Sequence, residues 1–204
     1  MGLKVAESGG NFKQIDPGMY VGLCYRSIDL GTQHEEYNNE VKINRKVFVS
    51  WEFPDELITE GEFTGQPYSM SKFYTASLHE KANLRKDLES WRGRAFTADE
   101  LSGFDLDNIL GKPCMVNVIT NDKGKSVIAG IMPLPKGTDT PTGVNDIFSF
   151  SFDEWDEEKF DGISDGIKRI MMESDEYKNI NMVGEVMNED VPPAHTDEDL
   201  SIPF

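Results

Sequence analysis

The sequence predicts a mainly β protein built on one globular domain. Short runs of strand formers recur between turn signals. One of them alternates side chains with the period of two that a half-buried strand requires. A single helical segment interrupts the series after the third run. The 204 residues and 38% hydrophobic content suffice for a domain of about 100–150 residues with chain to spare.

Residues 1–11 are small and polar and read as a flexible N-terminus. Asp16-Pro17-Gly18 is a turn signal, and Met19 to Leu30, with Tyr20, Val21, Leu23, Tyr25 and Ile28, is a first strand. Gly31 to Asn44 is polar and reads as a long loop. From Lys46 to Phe53, Val47, Val49, Trp51 and Phe53 share one face, and Lys46, Phe48, Ser50 and Glu52 the other, until Pro54 ends the run. A loop at 61–67 precedes a third strand from Tyr68 to Leu78.

Glu80 to Gly93 is helical, with Leu84, Leu88 and Trp91 at i, i+4 and i+7 and Gly93 as the stop. Thr97-Ala98-Asp99-Glu100 is a capping box that opens a short helical stretch. Cys114–Thr120 and Ser126–Met132 are strands joined by the hairpin turn at 121–124. Phe148, Phe150 and Phe152 make one more alternating run.

Residues 12–150 are expected to form the domain, and 151–180 a helical extension in which Ser164 can cap a helix whose apolar positions are Ile163, Ile167, Ile170 and Met171. Residues 181–204 read as a disordered acidic tail. Five strands with a helix between the third and fourth is the order of an OB-fold barrel, by analogy at the level of fold. Such barrels bind oligonucleotides across strands two and three.

Composition narrows the function. No run of about 18 apolar residues is present to span a membrane, and the N-terminus lacks the apolar stretch of a signal peptide. A cytoplasmic protein is the expectation. Cys24 and Cys114 sit in apolar runs and read as buried reduced thiols. His34, His79 and His195 form no metal-ligand cluster, and neither a P-loop nor a dinucleotide-binding glycine pattern occurs. The acids from Asp153 to Glu158 read as a solvated run. No enzyme activity, metal or cofactor is expected.

The net charge of −17 is unevenly spread: residues 153–204 hold 16 acids and 4 bases. Residues 42–94 instead carry nine bases interleaved with aromatics, the pairing of cations for phosphates and flat rings for bases that binds single strands. The expected DNA-binding residues are Lys42, Arg45, Lys46, Phe48, Trp51, Lys72, Phe73, Tyr74, Lys81, Arg85 and Arg92. Phe73, set among Ser69, Ser71, Thr75 and Ser77, is the strongest stacking candidate. Trp51 and Trp91 share faces with core residues, and Tyr74 and Lys72 lie on the strand face opposite Phe73. Lys81, Arg85 and Arg92 fall on one stripe of the helix.

The chain ends Asp197-Glu198-Asp199-Leu200-Ser201-Ile202-Pro203-Phe204. Phe204 offers a ring and an α-carboxylate on one residue, which a hydrophobic pocket with a basic rim can take together. Pro203 lowers the ordering cost, and the acids steer the tail to basic surfaces. The expected partner-binding residues are Asp197, Glu198, Asp199, Ile202, Pro203 and Phe204. This end resembles the tip of bacterial single-stranded DNA-binding proteins in its acids and in Ile202-Pro203-Phe204, although Leu200-Ser201 separates the two.

The body resembles a different group. The runs Trp51-Glu52-Phe53-Pro54, Ser71-Lys72-Phe73-Tyr74-Thr75, His79 through Gly93 and Gly111-Lys112-Pro113-Cys114 are similar to a bacteriophage family of single-stranded DNA-binding proteins, over about residues 12–180. The resemblance implies an OB core that coats DNA strands without sequence preference at replication or recombination sites. The tip then recruits a helicase, primase, polymerase or nuclease. A competing reading is an acidic DNA mimic that inhibits a host nucleic-acid enzyme. If the tail competes with DNA for the basic segment, deleting residues 190–204 is expected to raise affinity for oligo-dT at low salt; unchanged affinity in a gel shift excludes that competition.

Overall fold

In the computed structural model, which describes residues 14–37 and 39–180, the chain is mainly β. One sheet contains β1 (Gly18–Tyr37), β2 (Glu40–Leu57), β3 (Pro67–Thr75), β4 (Pro113–Thr120), β5 (Ser126–Met132) and β6 (Phe148–Phe150). Helices α1 (Asn83–Arg92), α2 (Ala98–Ser102), α3 (Glu157–Asp161) and α4 (Asp165–Met172) accompany it, and residues 175–180 are also helical.

β1 organises the sheet. Its start pairs antiparallel with β4, from Gly18↔Val118 to Leu23↔Pro113. From Leu23↔Glu52 to Tyr37↔Glu40 it pairs antiparallel with β2. Arg26, Ser27 and Ile28 also pair with β6, in parallel. With β3 on β2 and β5 on β4, the order is β3-β2-β1-β4-β5. The sheet is open. No ladder joins β3 to β5, so the closed five-stranded barrel is not formed among the described residues. Gln14 and Ile15 instead bind the start of β5. Ser126 N–H donates to Gln14 Oε1 at 2.6 Å and Ser126 Oγ to the Ile15 carbonyl at 2.7 Å. Both residues line a cleft of about 870 Å³ whose other walls are β3 and the loop at residues 58–66.

The polar stretch 31–44 is not a loop. It forms the far ends of β1 and β2, a ribbon that turns at Asn39, whose φ is 63°. Val41, Lys42 and Ile43 are exposed, so this part of the ribbon lacks the one-sided burial that imposes alternation. Nor does Pro54 end β2. It falls in the irregularity between Phe53 and Leu57, where a missing donor breaks no ladder bond. The acidic run likewise holds an unpredicted helix: Asp156 caps α3 by accepting the Lys159 N–H at 3.0 Å.

Two apolar cores lie on opposite sides of the sheet. The inner one joins Val49, Trp51 and Phe53 of β2 to Leu84, Leu88 and Trp91 of α1 and to Val116 and Ile131. α1 ends as its sequence indicates, with Gly93 left-handed at φ 66°. Cys24 and Cys114 are free, fully buried thiols in this core. The outer core joins Ile28 and Leu30 of β1 to Phe150, Phe152, Phe160, Ile163 and Met171. The ring of Trp155 lies 5.6 Å from Phe150 and 4.9 Å from Phe160.

The helical extension is therefore anchored to the sheet. Gly31, at φ 70°, lets it approach: a Cβ there would stand 2.6 Å from Ser174 Cβ. The Gln33 amide donates to the carbonyls of Leu30 and Ile170 at 2.7 and 2.9 Å. The Glu176 carboxylate accepts the Thr32 N–H at 2.6 Å and the Thr32 hydroxyl at 2.7 Å.

Burial pushes the Glu176 carboxyl up, but the two Thr32 donors, its own backbone N–H and the Arg45 charge together hold the group below its ordinary value. A depressed carboxylate contributes stability above its unfolded value of about 4.3 and loses it as the pH falls through the folded value. Glu176→Gln is expected to lower the melting midpoint at about pH 7, with the deficit shrinking towards about pH 3. Paired thermal melts of the variant and the parent at the two pH values check this.

Candidate nucleic-acid interface

The outer face of β1, β2 and β3 is arranged in rows set by strand register. One row runs Phe150, Ile28, Phe48, Phe73; the next runs Phe148, Arg26, Ser50, Ser71. In the first row the helical extension covers Phe150 and Ile28 and packs against Phe48. Phe73 at its end is 55% exposed, with its ring 4.9 Å from Phe48 and tilted by 57°. In the second row the hydroxyls of Ser50 and Ser71 are hydrogen-bonded at 2.8 Å.

A third row, Leu23, Glu52, Ser69, closes the far side. Glu52 is buried and accepts the N–H groups of Val144 and Asn145, each at 2.9 Å, and the Asn145 side-chain amide at 2.5 Å. These bonds pin the segment after β5 onto the sheet. Gly143 fits there because a Cβ would come within 3.0 Å of the carboxylate.

Arg26 is the residue that the sequence reading passes over, since it stands outside the basic segment. The signal was a lone charge between Cys24 and Ile28 in an apolar strand. A register shift between Cys24 and Arg26 places Tyr25 in a bulge. Without that bulge, period two would turn Arg26 onto the inner face beside Cys24. Instead its guanidinium lies 5.3 Å from the Tyr25 ring centroid and 5.6 Å from that of Phe148. Its Nε is buried without a partner.

The expected DNA-binding residues separate into different places. Phe48 and Phe73 share the outer face. Trp51 and Tyr74 do not reach the surface: they are 1% and 3% exposed in the inner core, with Trp51 packed against Trp91. Both alternate onto the strand face that α1 covers, so neither offers a ring to a base. The Tyr74 hydroxyl donates to Asp87 at 2.7 Å, and burial, then the Asp87 charge, raises its pKa.

Most of the expected cations already hold carboxylates. Arg45 donates from Nε and Nη2 to Asp29 at 3.1 and 2.5 Å and lies 3.1 Å from Asp153. It borders a cleft of about 510 Å³ that also carries Asp105, Asp107 and Glu154. Lys46 pairs with Glu35 at 2.8 Å and Lys72 with Asp87 at 2.6 Å. The helical stripe is broken too. Lys81 lies ahead of α1, Arg85 holds Glu89 at 2.9 Å, and Arg92 is bound to Glu100, which Arg94 also holds. Because α1 packs into the inner core, what remains of the stripe stands on the opposite side of the sheet from Phe73. Lys42 is exposed on the ribbon, across from Glu35.

The acidic excess is not confined to the tail. Residues 14–180 carry 30 acids and 18 bases, and residues 153–180 contribute 10 of those acids. Asp197, Glu198, Asp199, Ile202, Pro203 and Phe204 lie outside the described residues. Among the described residues, no cluster of His, Cys, Asp and Glu is arranged to hold a metal ion. No helix among them is long and apolar enough to cross a membrane.

Placing Trp51 in the core has a measurable consequence. Trp51→Phe is expected to lower the melting midpoint by leaving part of the ring volume unfilled, while oligo-dT affinity stays at the parental value; a fall in affinity in a protein of unchanged stability reverses that placement. The chain matches no family model and no curated protein.

Proposed function

We propose that the protein binds single-stranded DNA, without catalysis, across the outer face of β1, β2 and β3, and that Phe73 with Phe48 behind it is the stacking platform. The observation that carries this reading is the exposure of Phe73 on a strand face otherwise lined by Ser69, Ser71 and Thr75. A half-exposed phenylalanine forgoes half of the burial that is worth about 1.5–3 kcal/mol when complete. Its face is open to a planar partner, and every nucleobase has one.

The strand order supports the same reading. The sequence β3-β2-β1-β4-β5, with α1 between β3 and β4, is what a partly open OB barrel requires. Bases on such a barrel lie on strands two and three, where Phe48 and Phe73 stand opposite one another. Sequence preference would be weak, because stacking does not read base edges. The acidic end from Asp197 to Phe204 would recruit a replication or recombination protein.

One observation favours the second reading, an acidic mimic of DNA. The described body is itself net acidic, and five of the expected cations, Arg45, Lys46, Lys72, Arg85 and Arg92, are already paired with carboxylates. The two readings part on one measurement. A single-strand binder shifts labelled oligo-dT at about 50 mM salt, whereas a mimic does not. Within the first reading, Phe73→Ala is expected to weaken oligo-dT binding by about 5- to 150-fold, the equivalent of about 1–3 kcal/mol of stacking. Anisotropy titration checks this, and parental affinity in the variant excludes Phe73 as the platform.

A further inference from the structure

We infer that Arg26 is the phosphate anchor of the proposed single-strand site: its guanidinium takes a phosphodiester of the strand whose base rests on Phe73. This assignment rests on the single-strand reading.

The first ground is availability. The cations that the sequence points to nearest this face, Arg45, Lys46 and Lys72, are held by carboxylates at 2.5 to 2.8 Å. A phosphate has to displace those carboxylates before it can bind. Arg26 has no carboxylate partner among the described residues. The one acid in the neighbouring row, Glu52, has both oxygens occupied by Val144 and Asn145.

The second ground is orientation. Two aromatic rings hold the guanidinium, at 5.3 and 5.6 Å. Its Nε edge is shut off from solvent, so it presents its Nη groups. A fork with one edge closed and the other directed is suited to a bidentate oxyanion, and a guanidinium is more weakly hydrated than an ammonium. The flanking rings shield it and reduce the conformational freedom lost on binding.

The third ground is position. Arg26 and Phe73 lie on the same face in adjacent rows, two strands apart. Strand spacing and pleat repeat put their Cα atoms on the order of 12 Å apart, within the span of a short oligonucleotide. Between them lie Ser50, buried and hydrogen-bonded to Ser71, and Ser71 itself, which is exposed, so no charge stands between the two residues.

Stacking and phosphate contact respond differently to salt, and the test uses that difference. Anisotropy titrations of labelled oligo-dT, oligo-dA and oligo-dC against the full chain are run between about 50 and 300 mM salt. They compare the parent with Arg26→Gln, Arg26→Lys and Phe73→Ala, with melting curves as the control for folding. Arg26→Gln is expected to weaken binding similarly for all three oligonucleotides. It also flattens the dependence of log affinity on log salt by about 0.7, the loss of one single-strand phosphate. Arg26→Lys keeps the slope and loses part of the affinity, and Phe73→Ala loses affinity with the slope unchanged. A parental slope in Arg26→Gln overturns the anchor while leaving the single-strand reading intact. An Arg26→Lys variant as tight as the parent overturns the forked contact, and tests it even where the Gln variant does not fold. A parent that does not bind oligo-dT at about 50 mM salt overturns the single-strand reading and the anchor with it.

Discussion

The rest of the molecule depends on the pairing of one strand. β1 runs for 20 residues and has partners along both edges: β2 on one, β4 and then β6 on the other. A buried strand must satisfy every backbone donor and acceptor, so the positions of its partners follow from its own course. The bulge at Tyr25 and the second shift between Asp29 and Gly31 exchange its faces. The first turns Arg26 outward. The second brings Gly31 against Ser174, where any side chain would keep the helical extension away. The outward turn of Arg26 and the seat of the helical extension follow from these two irregularities.

Much of this was legible in the sequence because local periods and tertiary burial agree. Val47, Val49, Trp51 and Phe53 face the inner core as their alternation indicates, and Leu84, Leu88 and Trp91 pack as a helical stripe. Thr97 and Glu100 form the reciprocal capping bonds that their spacing suggests. The ribbon at 31–44 was not legible, because its pairing is held by a partner strand and not by a buried face. Nor was the parallel seat of β6, since Phe148 to Phe150 has the same pattern in either direction.

The candidate site was half legible for a similar reason. Phe73 stands out because an aromatic on a polar strand face is anomalous in its own neighbourhood. Cation availability does not show in the same way, since it depends on which carboxylate arrives from elsewhere. Asp87 reaches Lys72 across 15 positions, and Asp153 reaches Arg45 from the helical extension. A basic segment in sequence thus becomes a set of neutralised pairs in space. Surface pairs of this kind are worth about 0–1 kcal/mol each, so they screen the cations more than they stabilise the fold.

The seating of β6 beside β1 bears on how the chain reaches its structure. Arg26 to Ile28 wait for residues 148–150, more than 100 positions away, and Ile28 and Leu30 stay uncovered until Phe160 and Met171 arrive. Pairings of such long separation form late, because loop closure has to precede the contacts that reward it. During synthesis the sheet therefore emerges with one open edge and one greasy face, the condition in which nascent β proteins associate with each other. Only when the last helices have left the ribosome can that face close.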